Sequence, residues 1–378
     1  MDTGSVQVLN VRVDRNEIDY GHHDIVEALA AIAGRSFRLP LAKEKVTVEL
    51  GGVPTAVANA LRRAVKDEIR GQCLTFDAEE FDRESTTDPF MEEDFVRTRI
   101  RMMPLCPQIS ETLVSGLRFA LNAVNDTSKV MTVYSGDLKV TSSDTPTEPL
   151  FNPTHELAFL QPGRTLHISN IHLTEGFGYQ DAAYTVGVRA AIRPLDLEEV
   201  PRSETHAAGG SAAERSGFVE SSLVANPRRH EVTVTFPAVP AKSRASITVL
   251  VDTCGVIMRR LRYIQGVLET AQAGTGTIHR STNAYFLITP DDLRTKGVLG
   301  IRDETDTIGN LVSRSVYELM PDISYVGYTC IPHERMMKLT VAHAVSEPAD
   351  IGKIIARAVD HAYGVFYQIQ RGIKAFQT

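Results

Sequence analysis

Cysteine is scarce. Cys73, Cys106, Cys254 and Cys330 are spread over 378 residues. None belongs to a CxxC pair and none has a histidine at ligand spacing, which argues against a zinc site. Four scattered cysteines in a chain of this length read as reduced, mostly buried thiols rather than a disulfide framework. Long apolar runs are missing too: none approaches the ~20 residues that a membrane span needs. The opening stretch MDTGSVQVLNVRVDRNEIDY lacks the basic start and apolar centre of a signal peptide, so a cytosol-like compartment is expected. Positive charge is not in excess. A net charge of −7 gives no general attraction to nucleic acid, although a local basic patch is compatible with it. Catalytic signatures are absent as well. TEGFG and AGTGT contain glycine but lack a strand–GxGxxG–helix setting or a Walker lysine. His22 and His23 precede an acidic residue without an HExxH, and no serine sits in a GxSxG elbow. An enzyme acting alone is therefore not expected.

The chain that remains is 43% apolar and 23% charged, ordinary for a globular protein. Its length suggests two or three domains at ~100–200 residues each. HDIVEALAAIAG (23–34) suits a short helix ended by Gly34. VTVEL, from residue 46, alternates as a strand, GGVP makes a turn, and Pro54 suits the first turn of a helix. In VANALRRAVKDEI (57–69), Val57, Leu61, Val65 and Ile69 recur every four residues, with Ala60 and Ala64 on the same face. That is an amphipathic helix. Asn59, Arg62 and Arg63 form a compact polar block on its other side, which periodicity alone reads as a solvated face.

Strand-like runs at 117–124, 131–143, 165–176 and 182–194 follow, and THAAGGSAAERSG (205–217) is the best candidate for a mobile loop. HEVTVTF (230–236) is a strand. Then Leu250, Cys254, Ile257, Leu261, Ile264 and Leu268 trace a four-three seam along a long helix, with Arg259, Arg260 and Arg262 off the seam and in water. Residues 271–283 read as a linker. A strand at 284–288, a loop, a helix at 307–320 stopped by Pro321, and two more strands come next. Asp306 or Thr307 is the expected cap of that helix, and Gly309 in its first turn reads either as close approach of another backbone or as one glycine tolerated near a helix end. A final helix repeats the seam with Ile351, Ile355, Ala358, Ala362, Val365 and Ile369. Each seam must bury itself against something. Either the two seams bury each other, making a covalent pseudo-twofold dimer, or two unrelated α+β domains stand side by side.

VTVELGGVPTAVANALRRAVKDEI, with ANALRR at its centre, resembles the first dimerisation element of the alpha-like proteins of multisubunit RNA polymerases: the bacterial alpha N-terminal domain, its archaeal D-like counterpart and the third-largest eukaryotic subunit. MEEDFVRTRIRMMPL (91–105), TVYSGDL (132–138) and residues 160–194 are similar to later landmarks of that family. DETDTIGNLVSRSV (303–316) and PDISYVGYTCIPHE (321–334) resemble its small partner, the archaeal L-like protein and the eukaryotic equivalents. Both in one chain, over roughly residues 45 to 370, resembles the fused arrangement of some large DNA viruses.

The resemblance implies an α+β fold of two dimerisation units, with an N-terminal extension over 1–44, a discontinuous first unit over 45–76 and 228–270, a β-rich insertion over 77–227, and a second unit over 284–378. It implies a non-catalytic platform that docks the two large polymerase subunits, with small assembly subunits as further partners, and DNA and RNA reached only through the complex. The carried-over docking residues are Asn59, Arg62 and Arg63; arginine's planar fork suits paired contacts to carboxylates or carbonyls. The intramolecular interface would comprise Val57, Leu61, Val65, Cys254, Ile257, Leu261, Ile264, Ile308, Gly309, Leu311, Ile355, Ala358, Ala362 and Val365. The family's cysteine-rich metal loop would fall between Leu105 and Leu117, where only Cys106 occurs, so no metal or other cofactor is expected. TEGFGYQDAAY also lacks the family's His-Ala-Lys run, and no aspartate triad like that of the largest subunit occurs. A freestanding interaction module with the same fold is the rival reading. The compartment would be host cytoplasm, nucleus or virion.

Overall fold

The computed structural model describes residues 6–17, 41–84, 86, 92–106, 116–142, 150–185, 188–195, 227–240, 245–273, 278–280, 283–290, 295–344 and 350–376. The short helix expected at 23–34, the loop at 205–217 and most of the segment between Leu105 and Leu117 lie outside them. In chain order the elements begin with β1 (Gln7–Glu17), β2 (Leu41–Gly51), α1 (Thr55–Arg63), β3 (Arg70–Thr75), α2 (Glu93–Arg101), β4 (Arg118–Val124), β5 (Met131–Tyr134), β6 (Leu138–Val140), β7 (Glu156–Leu160), β8 (Thr165–Phe177) and β9 (Arg189–Pro194). They continue with β10 (Arg229–Pro240), α3 (Ala245–Ala273), β11 (Ile278–Arg280), β12 (Ala284–Pro290), β13 (Thr295–Arg302), α4 (Asp306–Leu319), β14 (Tyr325–Ile331), β15 (Met336–His343) and α5 (Asp350–Ala375).

The first sheet has the order β1-β2-β10-β9 and the last β11-β12-β13-β15-β14. Between them in sequence, β3-β8-β4-β6 and the β5-β7 pair form the sheets of the insertion. On β2 the alternation is plain: Val46, Val48 and Leu50 are fully buried, while Lys45, Thr47 and Glu49 face the other way. The insertion has its own apolar core, built on Leu74, Phe76, Ile100, Leu117, Leu121, Leu157 and Ile168.

A single larger core joins residues from both ends of the chain: Val46, Leu61, Phe236 and Leu261 share it with Phe286, Leu339, Ile355 and Phe366. Helices α3 and α5 pack along each other at its centre, and α1 packs on α4. Gln370 Nε2 donates to the Val251 carbonyl at 2.9 Å, and Arg262 Nη2 donates to the Tyr363 hydroxyl at 2.6 Å, so the two long helices run in opposite senses where they touch. Both seams are buried at every predicted position: Cys254, Ile257, Leu261, Ile264, Ile355, Ala358, Ala362 and Val365. Burial pushes the Cys254 thiol up to about 12, which keeps it neutral and unreactive. None of the four cysteines forms a disulfide, and of the four Cys330 alone is not buried.

Several elements differ from the sequence reading. Residues 7–17 form an edge strand that pairs antiparallel with β2 along its length, so this part of the N-terminal extension belongs to the first sheet. Its partner lies beyond 18–40, and no local turn signal announces the pairing. β9 joins β10 in the first sheet, and β3 joins β8 in the insertion, so sheet membership crosses both boundaries drawn at 76 and 227. The linker at 271–283 contains β11, which pairs with β12. The loop expected before α4 contains β13, between β12 and β15. Gly297 and Gly300 disguise that strand, since glycine weakens strand propensity. Gly297 is needed there: a Cβ would sit 2.3 Å from Ile351 Cγ2 at the start of α5. The helix of residues 57–69 also ends early. Beyond Arg63 it continues as one π turn, Ala64–Glu68, and Ile69 is extended (φ −88°, ψ 157°). Such turns recur at functional sites.

Candidate docking helix and its anchoring network

Helix α1 starts at Pro54, which is extended (φ −72°, ψ 159°), and buries Val57, Ala58, Ala60 and Leu61. Val65 in the following π turn is buried too. The polar block lies on the opposite side but is not uniform. Arg62 Nε donates to Asn59 Oδ1 at 3.0 Å, and both residues are half-buried. This pair presents a guanidinium and an amide held together one turn apart. Arg63 points elsewhere. Its Nε donates to Thr307 Oγ1 at 3.0 Å, and its Nη2 lies 3.7 Å from Asp306 Oδ2. Arg63 therefore spends its fork on the second half of the chain rather than on an outward surface.

The Thr307 hydroxyl in turn donates to Glu68, whose side chain is 3% exposed. Thr305 Oγ1 donates to the same Glu68 Oε1 at 2.8 Å. Arg260 of α3 ion-pairs with Glu68 on one side and Glu304 on the other, and its Nη2 donates to Thr305 Oγ1 at 2.9 Å. The Glu304 side chain is 6% exposed and that of Arg260 21%. Two buried carboxylates thus share one guanidinium, and threonine hydroxyls satisfy further lone pairs. A buried charge is tolerable only when so paired. The network ties the π turn after α1 to α3 and to the residues that open α4.

This arrangement corrects three expectations. Arg260 is not in water with Arg259 and Arg262; it is the centre of the network. Arg262 lies against the Tyr363 ring, 4.8 Å from its centroid, and only Arg259 is simply exposed. The cap of α4 is Thr305, not Asp306 or Thr307, and no side chain caps its first amides; the Thr305 and Thr307 hydroxyls go to Glu68 instead. The close approach at Gly309 is a ring rather than a backbone: a Cβ there would lie 2.5 Å from Tyr328 Cδ2. Gly309, Ile308 and Leu311 are all buried.

A second cluster lies at the far end of α4. Arg228 Nη1 reaches Glu318 Oε1 at 2.8 Å, while Arg314 Nε and His361 Nε2 each stand 3.8 Å from the same carboxylate. Burial pushes the Glu318 carboxyl up, but the His361 contact and the two arginines outweigh it and hold it below its usual value. Sequence reading missed Glu68, Glu304, Thr305 and Glu318. Local spacing marks only Glu318, four residues from Arg314; the other partners lie far away along the chain.

No group of three or more His, Cys, Asp or Glu side chains among the described residues is placed to hold a metal ion. No helix among them is long and apolar enough to cross a membrane. No family model matches the chain. It is 33% identical to the DNA-directed RNA polymerase RPB3-11 homolog of African swine fever virus isolate Pig/Kenya/KEN-50/1950, over 96% of this chain and 97% of that protein. The isolate Warthog/Namibia/Wart80/1980 and the strain Badajoz 1971 Vero-adapted carry homologues 33% and 32% identical over the same shares. The chain belongs to this family. The match to RPB3-11 homologues runs through both apolar seams and the insertion, so neither half of the chain stands outside it.

Proposed function

We propose that this chain is the assembly platform on which the two large subunits of a viral DNA-directed RNA polymerase dock. The chain is a polymerase subunit in a DNA virus; it has no catalysis of its own, holds no metal, and meets DNA and RNA only through the complex. The observation that carries the reading is the nearly full-length similarity to the viral RPB3-11 homologues. The fold is consistent with it. One core takes in the seams of both α3 and α5, as expected of a third-largest-subunit-like half joined to its small partner in one chain. Strand registers support a pseudo-twofold relation: Gly51 pairs with Arg229 just before α1, and Arg302 with Met336 just before α4. Those pairs equate Val57 with Ile308, Asn59 with Asn310 and Arg63 with Arg314.

Within this reading the docking contact is made by Asn59 and Arg62. Arg63 is excluded from a clean test, because its loss also removes the bond to Thr307. The experiment is a tagged pull-down from the native source, read by mass spectrometry and by promoter-independent RNA synthesis, with wild type and Arg62→Ala. Wild type should bring down two large subunits with RNA synthesis. Arg62→Ala should stay folded and recover less of both. Equal recovery by the variant would overturn the docking assignment. A wild-type chain recovered free of large subunits would favour a freestanding interaction module.

A further inference from the structure

We infer that the docking face of α1 continues onto the tip of the insertion, where Tyr179 supplies an aromatic anchor for the same large polymerase subunit that meets Asn59 and Arg62. The inference rests on the docking reading above and adds a contact point from a separate part of the chain. The two parts meet at the π turn that ends α1. Lys66 follows Arg62 by four residues and so continues the side of the helix that carries the polar pair. Against that turn lies the Phe177–Gly178–Tyr179 tip at the end of β8. The Tyr179 amide donates to the Asp67 carbonyl at 3.2 Å. Gly178 is required for so close an approach: a Cβ there would lie 2.9 Å from Asp67 Cα and 3.0 Å from the Lys66 carbonyl oxygen. Both of those are backbone atoms, which no rotamer change can move aside.

Tyr179 is 51% exposed, yet it is held in place. Its ring stacks on that of Phe177, with centroids 5.4 Å apart and planes 20° from parallel. The Gln180 and Asp181 amides both donate to the Phe177 carbonyl, at 2.9 and 3.2 Å, and close the turn. Asp181 then ion-pairs with Arg101 of α2 and accepts the Ala183 amide at 2.9 Å. An aromatic ring fixed in this way buries area on a partner at little entropic cost. Arg62 supplies the polar half of the contact. Its Nε donates to Asn59 Oδ1, and no carboxylate among the described residues pairs with it, so its remaining N–H groups are available to acceptors on another chain. Arginine and tyrosine are the residues that dominate binding energy at protein interfaces. The partner surface that fits presents carboxylate or carbonyl oxygens to Arg62 and an apolar recess to the Tyr179 ring. One polypeptide spans both, because the tip lies directly against the turn that continues α1.

The test places the photo-crosslinker p-benzoylphenylalanine at position 62 or at position 179 of the tagged full chain, produced together with the rest of the polymerase, and identifies the adducts by mass spectrometry. Both positions should crosslink to the same large subunit. Tyr179→Ala should recover about tenfold less of that subunit per tagged chain than wild type. Tyr179→Phe should recover as much as wild type, since the ring rather than the hydroxyl makes the contact. Crosslinking from position 179 keeps an aromatic ring at the tip, so it reads the contact even where Tyr179→Ala disturbs the loop. Position 179 crosslinking to no large subunit, or to a different one from position 62, would overturn the inference and leave the docking of α1 standing. Position 62 crosslinking to no large subunit would instead overturn the docking reading on which it rests.

Discussion

Replacing Arg260 with methionine removes the cation between two buried carboxylates, and its cost can be worked from the geometry. The Glu68 and Glu304 side chains are 3% and 6% exposed, and Arg260 contacts both. Removing one partner of a buried ion pair costs about 3–5 kcal/mol. Arg260 is itself 21% exposed, and Glu68 keeps the Thr305 and Thr307 hydroxyls, so the expected figure is the lower end, about 3 kcal/mol. Methionine preserves most of the stem volume, so the loss reports charge rather than packing. The chain has two separate apolar cores that need not unfold together, so a global melt is the wrong reporter. Amide hydrogen exchange in α3 under native conditions is the right one, and it should accelerate by roughly a hundredfold at 1.4 kcal/mol per tenfold. Adding Glu304→Leu should recover part of the loss, because the second mutation removes a carboxylate that the first left unpaired. A change below about 1 kcal/mol, the scale of an exposed pair, would refute the buried-network reasoning. So would strict additivity of the two mutations.

Leu261→Ala should destabilise the shared core by about 2–5 kcal/mol, because Leu261 is fully buried in it; denaturant unfolding with unchanged stability would contradict that placement. Gly309→Ala should accelerate amide hydrogen exchange in α4 even though alanine is the better helix former by about 1 kcal/mol, since the new Cβ would collide with the Tyr328 ring. Tyr328→Ala in the same chain should reverse the effect. Glu318 is held below its usual value of 4.5, so its contribution is present above that pH and is lost as pH falls through the lower, folded-state value. Glu318→Gln should therefore flatten the acid limb of stability against pH below about 4.5, and an unchanged limb would exclude Glu318 as a source of it.

Much of the fold is legible because it follows short-range rules. The four-three spacing of Cys254, Ile257, Leu261 and Ile264, and of Ile355, Ala358, Ala362 and Val365, marks inward faces regardless of what covers them. Pro54 and Pro321 bound helices α1 and α4 by steric rules that act within a turn. The polar block of α1 is equally legible as polar, yet its three members differ in use. Asn59 and Arg62 hold each other, whereas Arg63 is turned to Thr307 by a contact with a segment far along the chain.

What the amino-acid sequence determined by itself is periodicity, polarity and the chain's resemblance to polymerase subunits. Each depends on residues close together or on pattern alone. Tertiary structure decided everything that needs two distant segments to meet. It placed β1 on β2 and β13 at the centre of the last sheet, because strand pairing satisfies backbone groups across gaps that no local signal spans. It also turned Arg260, indistinguishable in sequence from Arg259 and Arg262, into the centre of a buried network, because only the folded chain brings Glu68 and Glu304 to the same guanidinium.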